Sequence, residues 1–248
     1  GTLTFLPQKS QGRNGISFFF NTGWNHSTNH TGSDYVRIYL PEDEYLNRLE
    51  VECGNGDVKI SGIQADSVSV ETDFGNTEIS DIKAGAAEVT CSNGRIEIDT
   101  VEYDSLKVTD DFGNVSISGA RGDESTVQMS NGELTLKNIE STTLRLEQDF
   151  GDTDGSKLTV GELTHTGSNG DIELTELDTK SVDISNDFGD IDLAFTGEEK
   201  EYGMDLSCDF GTVRLNGDNR SGSLEKDSAG ANKIKARCSN GNITVITK

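Results

Sequence analysis

The sequence predicts an all-β fold, a single-stranded parallel β-helix or β-solenoid, and three observations carry that expectation. First, a glycine recurs at a spacing of 19 residues through Gly56, Gly75, Gly94, Gly113, Gly132, Gly151, Gly170 and Gly189, with further copies at Gly211 and Gly241. So short a fixed period marks stacked units, none of which can bury its apolar face without its neighbours. Second, columns aligned on the glycine are apolar at alternate positions. Val51, Val70, Val89 and Val108 stand five before it, and Ile60, Ile79, Ile98 and Ile117 four after, with Glu, Lys, Thr, Ser and Asp between. That is the period of a half-buried strand, so each unit reads strand, tight turn, strand. Third, the motif has two alternating flavours, Asn-Gly (as at Asn55-Gly56 and Asn93-Gly94) and Asp-Phe-Gly (as at Asp73 to Gly75 and Asp111 to Gly113).

The alternation bears on the size of a coil. Identical aligned columns favour a parallel solenoid over a hairpin meander, because each residue type can stack on its own kind. If Phe74, Phe112, Phe150 and Phe188 form one column and the Asn residues another, two units make one 38-residue coil. That arrangement is the expectation, with a 19-residue coil as the alternative. Right-handed coiling is expected from the preference of parallel connections.

Taken in order, residues 1–45 do not match the repeat and read as an N-terminal strand-rich cap. Ile16 to Phe20 and Tyr35 to Leu40 are strand-like, and the polar stretch between holds Trp24, His26 and His30. A solenoid needs such a cap to cover its exposed last coil. Residues 46–248 form the repeat domain, broken twice. The spacing lengthens between Gly189 and Gly211, with 196–203 interposed, and again between Gly211 and Gly241, with 216–232 interposed. Both stretches read as loops on the side of the solenoid.

A formal charge of −23 argues against nucleic acid and anionic lipid as partners, since both demand basic patches. Cys53, Cys91, Cys208 and Cys238 each lie three residues before a repeat glycine, at an inward position. They read as small buried hydrophobes, with a bridge between stacked Cys53 and Cys91 as the alternative. The chain begins at Gly1, with no signal peptide or transmembrane run; the expectation is that an upstream segment has been removed.

The run Tyr35-Val-Arg-Ile-Tyr-Leu-Pro41 followed by Leu49-Glu-Val-Glu-Cys-Gly-Asn-Gly-Asp-Val-Lys-Ile60 resembles the entry into the DUF4097 family of adhesin-like bacterial proteins. Gly167-Ser-Asn-Gly-Asp-Ile-Glu-Leu174 and Asp187-Phe-Gly-Asp-Ile-Asp-Leu193 resemble its later repeats. The resemblance covers nearly all of 35–248. It implies a β-solenoid on the outer side of a bacterial membrane, tethered by an N-terminal segment absent from this sequence, and it brings no catalytic residues.

Few residues suggest chemistry. Asp-Phe-Gly is also the magnesium-binding tripeptide of protein kinases, but its five copies come without a Gly-rich loop or a His-Arg-Asp segment, so it is a turn element. Asp73, Asp111, Asp149, Asp187 and Asp209 share one column, and Asp152 and Asp190 share another with Asn76 and Asn114. Carboxylates stacked at coil spacing repel, and calcium would relieve that; otherwise no cofactor is expected. Against calcium, Asp also favours such turns by bonding nearby backbone N–H groups. The late insertions hold Glu198, Glu199, Tyr202, Asp218, Arg220 and Asp227 as candidate binding-loop residues. His26 and His30 lie in a loop-like context and read as exposed polar residues, while His165 replaces an inward apolar residue in its column.

The reading that results is a non-catalytic, extracytoplasmic β-solenoid with an acidic surface, binding a surface polysaccharide or protein ligand of the cell envelope or host. A structural or envelope-sensing module contacting partner proteins is the first alternative, and a polysaccharide-active β-helix enzyme is the second.

Overall fold

The computed structural model describes residues 15–20, 45–227 and 232–248. The stretches around Trp24, His26 and His30 and around Tyr35 to Leu40 lie outside the described residues. In chain order the strands are β1 (Gly15–Phe20), β2 (Tyr45–Cys53), β3 (Val58–Ser61), β4 (Gln64–Phe74) and β5 (Thr77–Asn93). Then come β6 (Ile96–Phe112), β7 (Val115–Asn131), β8 (Leu134–Phe150), β9 (Thr153–Asn169) and β10 (Ile172–Phe188). The chain ends with β11 (Ile191–Phe195), β12 (Tyr202–Leu215), β13 (Asp218–Lys226), β14 (Asn232–Asn240) and β15 (Ile243–Ile246). All pairings are parallel except that of β12 with β13. No helix among the described residues is long and apolar enough to cross a membrane.

The register fixes the coil. Ile79 pairs with Ile98, Ile98 with Ile117 and Ile117 with Leu136, each step one repeat of the sequence. A coil therefore contains 19 residues, not the 38 that the alternation suggests. Phe74 aligns with Asn93, Asn93 with Phe112, and Phe112 with Asn131. The expectation failed because it treated Phe as a core group needing its own kind, whereas this position faces solvent. Opposite charges one repeat apart carried the correct answer. Lys83 lies 3.2 Å from Glu102, Lys107 2.9 Å from Glu88 and Arg121 2.7 Å from Glu140. All six side chains are exposed, so each pair reports register rather than stability.

Each coil turns three corners. At the first, the repeat glycine takes a positive φ in all coils but those of Gly113 and Gly211, as at Gly75 (135°) and Gly132 (135°). Six residues on, a second column is left-handed whatever its residue: Gly62, Asp81, Thr100, Gly119, Asn138, Lys157 and Glu176. The third corner shows as two consecutive outward residues, such as Gly85 and Ala86 between buried Ala84 and Ala87. Between corners the burial alternates, and Val, Ile and Leu from every coil fill one continuous core.

The two interruptions are not side loops. Residues 196–203 make a short 3-10 turn, Glu199–Glu201, and then enter β12, with Tyr202 and Met204 buried. Most of 216–232 is strand: β13 pairs antiparallel with β12 and covers the last parallel coil, a way of closing an exposed edge. The order of coils also departs from chain order. β14 lies between β10 and β12, and β15 between β11 and β12, so the C-terminal unit is inserted beneath the unit that precedes it in sequence.

The four cysteines are free and buried. Cys53 aligns with Thr72, and Thr72 with Cys91, so the two thiols stand two coils apart. At about 9.6 Å that is beyond disulfide reach, and the Cys53–Cys91 bridge is ruled out.

Candidate functional site

The glycine corner is built from main chain. Gly75 N–H donates to the Asn93 carbonyl (3.0 Å), and Gly94 N–H to the Phe112 carbonyl (3.1 Å), so the ladder runs through the turn. The glycine carbonyl points inward along the stack and needs a donor. In several coils the buried residue three before a glycine supplies it to the glycine of the coil below: Cys91 Sγ to Gly75, Gln148 Nε2 to Gly132 (2.7 Å), Asn186 Nδ2 to Gly170 (2.9 Å) and Cys208 Sγ to Gly241 (2.8 Å). That donor role accounts for the Cys, Gln and Asn at these positions, whereas Met129 and Asp110 in the same column supply no donor. Asp and Asn just after the glycine have a parallel duty on the outside. Asp152 Oδ1 accepts from Asp171 N–H, Asp171 Oδ1 from Asp190 N–H (2.8 Å each), and Asp190 Oδ1 from Asn242 N–H (2.7 Å).

One position outward, the corner presents Phe and Asn in turn. Phe74, Phe112, Phe150 and Phe188 are 53–58% exposed and Phe210 is 74% exposed, while Asn93, Asn131, Asn169 and Asn240 are half-buried. In the sequence the alternation fails at its end, because Phe188 and Phe210 are consecutive copies. In space it holds. Phe188 pairs with Asn240, and Asn240 with Phe210, because β14 is inserted between β10 and β12. Five exposed phenyl rings thus stand along one edge at every second coil, about 9.6 Å apart.

A family model described as Toastrack DUF4097 matches residues 6–139 and again 101–246. The chain belongs to the DUF4097 family. The two matches overlap over 101–139, as a repeat permits. No curated protein and no solved structure matches the chain.

In this DUF4097 chain the sequence-predicted residues do not converge. Asp73, Asp111, Asp149 and Asp187 each precede a Phe of the edge and alternate with Ser92, Ser130 and Ser168, so successive Asp backbones stand two coils apart, about 9.6 Å. Asp209, likewise, is separated from Asp187 by Ser239. No group of three metal-ligating side chains occurs among the described residues. Of the binding-loop candidates, Tyr202 is core, its ring centroid 5.0 Å from that of Phe195. Glu199 is held by Lys226 and by Asn216 Nδ2 (2.7 Å), and Glu198 by Lys200 (2.6 Å). Asp218 and Arg220 lie on the exposed strand β13, opposite Leu215 and Val213, and Asp227 follows its end. The Phe residues are legible in the sequence as a repeating position; their exposure is not.

Two titratable groups are buried inside the stack. Asp110 occupies the carbonyl-capping column, neither carboxyl oxygen has a hydrogen-bond partner, and burial pushes its pKa up to about 7. His165 sits between Leu146 and Ile184, and burial lowers its pKa to about 4. Thr153 Oγ1 donates to Gln148 Oε1, so at 3.0 Å His165 Nε2–H donates to Thr153 and the ring is the neutral Nε2–H tautomer. His165 Nδ1 is left without a partner. Because the folded pKa lies below the unfolded one, His165 withdraws stability as pH falls from about 6.5 through 4, amounting to about 3 kcal/mol. His165→Leu therefore gains on wild type progressively across that window in urea unfolding series. A difference independent of pH would contradict the assignment.

Proposed function

We propose that this DUF4097 chain is a non-catalytic, extracytoplasmic binding module whose binding surface is the Phe/Asn edge of the solenoid. The adhesin-like role is contact with a polysaccharide or protein of the cell envelope or of a host surface. The observation that carries the reading is the inserted β14 strand, which restores the Phe/Asn alternation in space where the sequence breaks it. Five large apolar rings held in solvent cost solubility and gain nothing for the core, so their regular spacing is best explained by a partner.

The distribution of titratable groups supports a non-catalytic reading. Asp110, His165 and Cys238, the groups shifted furthest, are buried and belong to the packing of the stack. A general acid or base needs a substrate within hydrogen-bond reach, and nothing outside the core reaches them. The exposed acids are spread along the coils rather than gathered beside a cleft.

The test is a panel of bacterial and mucosal polysaccharides, incubated with the protein with and without calcium. Both retention of protein and release of new sugar ends are read. Retention without cleavage, unaffected by calcium and lost in Phe112→Ala/Phe150→Ala, is the expected outcome. New sugar ends would overturn the non-catalytic reading. Retention unchanged in the double variant would move the binding surface elsewhere.

A further inference from the structure

The pitch of the edge narrows the class of ligand. Phe74, Phe112, Phe150, Phe188 and Phe210 are equivalent positions on a rigid parallel stack, two coils apart, so neighbouring rings are separated by about 9.6 Å and all project from the same corner. Between each pair stands a half-buried Asn, and beside each Phe an exposed Asp. A matching ligand must be linear, must offer an apolar face once per two-coil interval, and must offer hydroxyl or amide groups between.

An extended β-1,4-linked glycan has that pattern. Successive sugars are flipped about the chain axis, so one ring face recurs at every second sugar, and the length of one disaccharide is close to the two-coil pitch. The C–H face of a pyranose can lie on each phenyl ring, as apolar surface packs on an aromatic face. Asn amides between the rings donate to and accept from hydroxyls, and the Asp carboxylates accept hydroxyl protons. The same carboxylates, on a chain of formal charge −23, repel uronates, sialates and phosphate-bearing polymers. An α-1,4-linked chain curls and cannot keep step with a straight edge.

We infer that the Phe edge is a binding site for an extended, uncharged β-1,4-linked glycan, one disaccharide per Phe. The inference rests on the binding role proposed above and adds the ligand class to it. Five Phe positions define four intervals, so affinity rises with ligand length in steps of two sugars.

Isothermal titration with chitohexaose, cellohexaose and maltohexaose, together with the corresponding tetraoses, tests it. The expected result is binding of at least one β-1,4 hexaose, weaker binding of its tetraose and none of maltohexaose. A hexaose spans three consecutive rings and every such register includes Phe150, so Phe150→Ala should weaken the hexaose by about tenfold, as a lost aromatic contact of about 1.4 kcal/mol would. The thermal midpoint of that variant should fall only slightly, because the ring is more than half exposed, which separates a lost contact from a lost fold. Equal binding of maltohexaose, or indifference of the hexaose to Phe150→Ala, would overturn the proposal. If no β-1,4 hexaose binds but another panel polymer is retained in a Phe112-dependent way, the ligand class falls and the binding edge stands. If all retention ignores the Phe variants, both fall. A concentration-dependent dimer in sedimentation, abolished by Phe112→Ala, would assign the edge to a second copy of the chain and overturn the glycan.

Discussion

Replacing Gly132 by alanine should destabilise the protein by more than about 4 kcal/mol, a loss reserved for the worst steric and backbone errors. A Cβ on Gly132 would lie 1.6 Å from the Gly113 carbonyl oxygen, and its φ is +135°. Neither fault can be relaxed locally. That carbonyl oxygen belongs to the main chain of the preceding coil, and separating the two coils breaks the bond from Gly113 N–H to the Asn131 carbonyl (3.1 Å). The neighbours give the same reading: Gly75, Gly94, Gly151 and Gly170 would each set a Cβ 1.9–2.1 Å from the previous glycine oxygen. The column is glycine because a coil sits where the side chain would go. Gly62→Ala is the control. It has a positive φ of 69° but no atom within 4 Å, so the backbone term alone should apply, about 1 kcal/mol. Urea unfolding of the two variants checks the claim, and comparable losses would contradict it.

Asp110→Asn should stabilise the protein, by about 4 kcal/mol at pH 8. The Asp110 pKa is raised from about 4 in the unfolded chain to about 7 in the fold, so the folded state holds a proton that the unfolded state releases. Its contribution is therefore neutral below the unfolded value and increasingly unfavourable as pH rises through the folded value. Three units at about 1.4 kcal/mol each set the size. Asparagine removes the charge and adds a donor, which can cap the Gly94 carbonyl as Asn186 caps Gly170 and Gln148 caps Gly132. The advantage over wild type should vanish near pH 4 and be complete above pH 7. This window runs opposite to that of His165, so in wild type the two slopes oppose each other between about pH 4 and 6.5. Only comparison with each variant separates them. A constant advantage would show that Asp110 ionises freely.

The glycine period, the apolar columns and the inward cysteines were legible because strand alternation and stacking leave a repeating imprint. Coil size was misread at the position before the glycine. Phe suggests a core contact, and nothing local tells that the side chain points outward; the charge pairs Lys83–Glu102 and Arg121–Glu140 did hold the register. The insertion of β14 was not legible, since a longer gap in a repeat looks the same whether it forms a loop or a strand placed out of order. Tyr202 looked like a loop residue because the surrounding Glu and Lys are polar, yet it opens a new buried strand. The left-handed column at Asp81, Thr100, Asn138, Lys157 and Glu176 was equally hidden, since stacking imposes a conformation that these residues do not favour alone.

The most direct test of the account is a swap that keeps composition and breaks pitch, Phe112→Asn with Asn131→Phe. Phe112 is exposed and Asn131 half-buried with one long hydrogen bond to the Asp111 carbonyl (3.5 Å), so the unfolding midpoint should move only slightly, while the regular interval between rings is lost. Retention on the polymer that captures wild type should fall about tenfold, the effect of losing one aromatic contact. Retention unchanged by the swap, or no retention of wild type on any polymer of the panel, would contradict the claim that the alternating edge is the binding surface.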